Sequence, residues 1–262
     1  MNNLSVRCSR IFLLAAVLAL FTACSTTSTS ETKTADMAGK VDAQQRAQIH
    51  TERSGEYFRM GRMATALEAA QQAIAAHTAY APAHNMLALI HMKLGEDVKA
   101  EAAFKQAIRI APGDSDSLNN YGWFICQRQD PKRSLTYFSQ ALRNPLYTTP
   151  ELALYNSGVC ARRAGDTDAA ETNLRAALVR DPRMAAAMLE LADIAFSQAR
   201  YKEADAQFSR FSALVREPDI NGLVLGAKIS RAMGDRNAEA GYIAQLRRRF
   251  PDSPQARDAL SR

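Results

Sequence analysis

The sequence predicts an all-α protein, a right-handed superhelix of about six helix-turn-helix repeats. Three observations predict it. The 262 residues are 47% apolar but include only 12 glycines and 7% aromatics. Much of the chain is Ala, Leu, Gln, Glu and Arg, which lose little side-chain freedom in a helix. No stretch sustains the Val, Ile and Thr alternation of a half-buried strand. Finally, similar segments recur. They are "GRMATALEAAQQAI" from Gly61, "GEDVKAEAAFKQAI" from Gly95, "QDPKRSLTYFSQAL" from Gln129, "GDTDAAETNLRAAL" from Gly165, "ARYKEADAQFSRFS" from Ala199 and "GDRNAEAGYIAQLR" from Gly234. Their starts are 34, 34, 36, 34 and 35 residues apart. Such a period marks units that bury their apolar faces only by stacking on their neighbours.

The first element in the chain is a leader. Arg7 and Arg10 precede the apolar run "IFLLAAVLALF", Ile11 to Phe21, and then Thr22, Ala23 and Cys24. Eleven apolar residues are short for a bilayer span, so residues 1–23 read as a cleaved signal rather than an anchor helix. "FTAC" resembles a bacterial lipoprotein lipobox, with Phe21 where Leu is usual. The resemblance implies acylation (palmitate) of Cys24 as the first mature residue. An ordinary secretory signal with a coincidental cysteine is the alternative. Ser25 stands where an inner-membrane retention signal carries Asp. By likeness to lipoprotein sorting rules, that implies the outer membrane, lipid-anchored, with the repeats facing the periplasm of a Gram-negative bacterium.

Residues 24–43 follow as a Ser/Thr-rich segment with no apolar period. It reads as a flexible tether, spanning roughly 25 Å as a random coil. Its "SETK", Ser30 to Lys33, matches the Ser-x-x-Lys of penicillin-binding enzymes but has no partner motif. We read it as coincidence.

Residues 44–262 carry the repeats, at about 47–80, 81–114, 115–148, 151–184, 185–218 and 220–253, and then a C-terminal capping helix. A 34-residue, two-helix period is the mark of the tetratricopeptide repeat. The small and large residues that repeat needs are present. The second unit has Leu87, Ala88, Ala100, Phe104 and Pro112; the third has Tyr121, Gly122, Ser134 and Phe138. The fourth has Gly158, Ala170 and Pro182; the fifth has Leu191, Ala192, Ala204 and Phe208. Small residues let the two helices of a unit approach, and the aromatic fills the gap. The outer units fit less well, as expected of caps.

This period absorbs several tempting sites. His84 and His91 share a helix face but stand where the repeat wants aromatic core residues, so a packed pair is expected, not a metal. Arg247, Arg248 and Arg249 suggest nucleic acid. Losing Arg7 and Arg10 with the leader takes the formal charge of +6 down by two, to +4, and no basic stripe interleaved with aromatics appears. No nucleic acid, cofactor or small-molecule substrate is expected. No G-x-S-x-G, H-E-x-x-H, P-loop or Cys-x-x-Cys motif points to an enzyme.

A groove is expected instead. By resemblance to the repeat family, places on the first helix of each unit line the concave side of the superhelix. They put Thr51, Asn85, Asn119, Tyr155 and Leu189 at the fifth place, and Gly55, Leu89, Trp123, Val159 and Asp193 at the ninth. The asparagines would hydrogen-bond a peptide backbone, and Trp123 would be an apolar anchor. Internal packing of Trp123 is the alternative. Cys126 and Cys160 lie on neighbouring first helices, and an oxidising compartment permits a disulfide between them. The alternative is two buried thiols.

"NPLYTTP", Asn144 to Pro150, holds the two extra residues of the 36-residue step. Pro145 and Pro150 make it stiff and extended. Together with "NNYGWFICQR" and "ALYNSGVCARRAGD", it resembles the PilF/PilW family of type IV pilus biogenesis lipoproteins. That resemblance implies a pilotin, which binds the type IV pilus secretin subunit and promotes its outer-membrane localisation and multimerisation. A general periplasmic scaffold, organising cell-wall hydrolases or other envelope complexes, is the alternative.

Overall fold

The computed structural model describes residues 28–254, 256 and 257, with side chains from residue 42 onward. The described residues form twelve α-helices and no strand. The pairs are α1 (Ser28–Arg59) with α2 (Met63–Ala76), and α3 (Ala81–Lys93) with α4 (Asp97–Ile110). Next come α5 (Ser115–Arg128) with α6 (Pro131–Ala141), and α7 (Pro150–Arg163) with α8 (Thr167–Arg180). The last two are α9 (Ala185–Ser197) with α10 (Tyr201–Leu214), and α11 (Ile220–Met233) with α12 (Arg236–Arg249). Each pair stacks on the next, which makes a superhelix with two layers. Odd helices form the inner layer and even helices the outer one.

Local chemistry sets the boundaries. Asp130, Asp166 and Asp235 accept backbone N–H bonds from the first turns of α6, α8 and α12, for example Ala169 N at 2.9 Å from Asp166. Such caps satisfy donors that have no partner inside the helix. In the second and fourth pairs the turn between the helices uses a left-handed residue, Gly95 (φ 76°) and Gly165 (φ 84°), whereas the third pair turns without one. In the fifth pair Ala199 takes that conformation at φ 57°, against the preference of a residue with a Cβ.

The core is small against large. Phe104, fully buried, packs with Ala88, Ala100, Tyr121 and Phe124. Phe138 lies over Gly122, where an added Cβ would come within 2.9 Å of its ring. Gly226 meets Phe208 in the same way. In the fourth pair Leu174 takes the aromatic's place and closes on Gly158. On the outer side, buried Glu171 bonds Arg175 at 2.6 Å and also pairs with Arg200, which ties α8 to the turn before α10.

One feature differs from expectation. Helix α1 begins at Ser28, so residues 28–43 are helical rather than an irregular tether. Ala35, Met37, Ala38 and Lys40 are good helix formers and no proline intervenes. Once Ala47 and Ser54 are buried at the start of the repeats, the helix extends upstream, gaining one bond per residue fixed. At the other end, residues 254, 256 and 257 are helical and Ala256 is fully buried against Leu223 and Leu246. The remainder of the expected capping helix lies outside the described residues, as do the leader and Cys24. Among the described residues no helix is long and apolar enough to cross a membrane.

Candidate protein-binding groove

Stacking at a step of 34 or 35 residues sets equivalent side chains side by side on neighbouring inner helices. Tyr155 on α7, Leu189 on α9 and Val224 on α11 are such a set, and they wall a concave cavity of about 620 Å³. Glu190, Asp193 and Lys228 edge it. Arg162 reaches across from α7 and bonds Glu190 at 3.0 Å and Asp193 at 2.5 Å. Burial works against the Arg162 charge, but Asp193 and Glu190 outweigh it and raise its pKa. The Tyr155 hydroxyl is also pushed up, first by burial and then by Glu190, with Arg163 opposing. The cavity is therefore a trough of mixed lining, with an apolar wall of Tyr155, Leu189 and Val224 and charged groups around it.

Further up the stack the expected site residues divide. Asn85 accepts from Asn120 at 3.3 Å, Asn119 donates to Asn120 at 3.4 Å, and Asn156 donates to Asn119 at 3.0 Å. The asparagines thus bond one another across α3, α5 and α7. Asn119, 5% exposed, is buried and is no free reader of a peptide backbone. Val159 is likewise buried, and Leu89 is half-buried against the Phe104 cluster. The groove contacts expected of Asn119 and Val159 are corrected, since the inner helices lie close enough to occupy these side chains themselves, while Leu89 keeps part of its surface.

Trp123 is half-buried. It packs on a cluster of Cys126, Phe138 and Cys160, with Leu135 beside it, and the Arg163 guanidinium carbon lies 5.8 Å from its ring centre. Its two roles are combined, with part of the ring packed internally and part left to the surface. Cys126 and Cys160 are joined by a disulfide with Cα atoms 5.9 Å apart, which fixes α5 to α7 across the two-residue insertion. The insertion is pinned by Asn144, whose Nδ2 donates to Ser115 Oγ at 3.2 Å.

The two histidines do not form a pair with each other. His84 Nε2 bonds the Thr78 carbonyl at 2.9 Å, and buried His91 bonds Glu96 at 2.5 Å. Among the described residues no group of three or more His, Cys, Asp or Glu is placed to hold a metal ion. Arg247 and Arg248 are exposed, while the Arg249 guanidinium carbon lies 5.2 Å from the Phe250 ring centre.

Leu189 and Asp193, expected at the fifth and ninth places, line the cavity, whereas Val224 and the Arg162 ion pairs are absent from the sequence-expected site. The signal for Val224 was the step of 35 residues from Leu189. Nothing local to Arg162 announces its two carboxylates, which come from the next repeat.

Comparison with known proteins agrees with this fold. The tetratricopeptide-repeat model matches residues 55–115, 127–171 and 161–211, together more than half of the chain. Type IV pilus assembly protein PilF of Pseudomonas aeruginosa is 23% identical over 197 residues, 75% of this chain and 78% of that protein. The crystal structure of PilW, described as a widely conserved type IV pilus biogenesis factor, is 32% identical. It covers 82% of this chain and 98% of its own, with a TM-score of 0.75. The structure of Pseudomonas aeruginosa pilF, 20% identical, covers 84% of this chain and 99% of its own with a TM-score of 0.78. At that identity it attests the fold alone.

Proposed function

We propose, for a chain that belongs to the tetratricopeptide-repeat family and is PilF/PilW-like within it, the role of a pilotin for type IV pilus biogenesis. It is an outer-membrane lipoprotein that binds the pilus secretin subunit in its concave groove and promotes that subunit's localisation and multimerisation. The observation that carries this reading is the open trough on the inner layer of a repeat scaffold, with its apolar wall of Tyr155, Leu189 and Val224. Repeat scaffolds of this kind bind protein partners. Its relatives PilF and PilW are a type IV pilus assembly protein and a type IV pilus biogenesis factor.

Two separate attachments make the mechanism. The acyl chains on Cys24 partition into the bilayer, each buried CH₂ contributing about 0.8 kcal/mol. The groove holds the cargo. Together they confine the subunits to one surface, where their effective concentration favours multimers over dispersal. No bond is made or broken in the cargo.

Cys24→Ala separates the two attachments. The variant is expected to fold with unchanged melting temperature yet leave the outer-membrane fraction, and secretin multimers should fall or collect in the wrong membrane. A Cys24→Ala protein that still fractionates with the outer membrane in a strain lacking the secretin contradicts the anchoring role.

A further inference from the structure

The two arginines that end α7 differ in what they touch. Arg162 is committed to Glu190 and Asp193. Arg163 is exposed and has no carboxylate partner among the described residues; its guanidinium stands at the Trp123 ring instead. Tyr155 and Arg163 are eight residues apart and so share one face of α7, and Tyr155 walls the trough. The charge of Arg163 reaches Tyr155, whose hydroxyl it opposes in titration. At the equivalent place on α5, 36 residues earlier, Gln127 leaves its Nε2 without an acceptor. A guanidinium held at an aromatic ring keeps its planar fork of N–H donors, which matches a carboxylate in two parallel bonds.

We propose that Arg163 receives a carboxylate side chain of the bound protein segment, one that lies next to an apolar residue seated against Trp123 and Tyr155. This deepens the groove reading above and rests on it. The charge balance selects the ligand. Glu190, Asp193 and Asp219 carry three negative charges against the two positive ones of Arg162 and Lys228, so the trough retains a net negative charge that repels a dianion. A single carboxylate carried beside an apolar side chain suits both the free cation and the trough. A phosphate group suits neither.

The test pans a random dodecapeptide display library on the purified full mature chain and on its Arg163→Gln variant, whose fold is checked by melting temperature. Wild type is expected to enrich peptides with Asp or Glu beside an apolar residue. The variant is expected to keep the apolar preference and lose the acidic one. The best acidic peptide should bind wild type at least tenfold more tightly than its amide analogue (Asp→Asn or Glu→Gln), and Arg163→Gln should reduce that ratio below twofold. Apolar consensus without acids, or an acidic preference retained in Arg163→Gln, overturns the proposal and leaves the groove reading intact. Failure to enrich any consensus overturns both.

Discussion

Reduction of the Cys126–Cys160 bond is expected to lower the stability of the repeat domain by about 3–4 kcal/mol. That is the chain-entropy estimate for a closed loop of this size, here a sequence separation of 34. For a domain of this length it corresponds to a drop in melting temperature of roughly 10 °C. The bond spans the step where "NPLYTTP" adds two residues and interrupts the stacking period. Thermal unfolding of the mature protein with and without dithiothreitol measures it, beside the Cys126→Ala/Cys160→Ala double variant. A shift under about 2 °C, or two alkylatable thiols in protein taken from the periplasm, contradicts the assignment.

Gly158→Val is expected to destabilise the fold by about 3 kcal/mol, at the upper end of ordinary overpacking costs. An added Cβ would come within 2.7 Å of Leu174 Cγ and 3.1 Å of the Ala170 carbonyl oxygen. Leu174 can turn only into other core residues, and the Ala170 oxygen is helix backbone, so α7 and α8 must separate. Gly241 is the control. It is helical and exposed, and a Cβ there meets nothing within 4 Å. Gly241→Ala should therefore stabilise, by about 0.5–1 kcal/mol. Equal effects from the two substitutions would show that the close approach of α7 and α8 is not what Gly158 serves.

The repeat architecture was legible because each unit repeats the same physical demand. Ala88 against Phe104 and Gly122 against Phe138 are small–large pairs at fixed spacing, and a spacing can be read from one chain. Tyr155 and Trp123 were found in the same way. Asn119 was misplaced because its chemistry lies in a bond from Asn156, 37 residues away, and an asparagine that reads a peptide looks the same in sequence as one that bonds its neighbour. The trough extends further toward α11 than expected, since its position depends on how α7, α9 and α11 splay, and no single residue encodes that. Helix α1 was cut short because a Ser/Thr-rich segment suggests coil, whereas a packed helix downstream can propagate into it.

The most direct test of the central claim is site-specific photo-crosslinking in cells that make the pilus secretin. A benzophenone side chain is placed at Leu189, in the trough, or at Val179, 79% exposed on the outer helix α8. The groove account predicts an adduct with the secretin subunit from position 189 and none from position 179. An adduct from position 179 with none from 189 would place the partner on the convex face and contradict it.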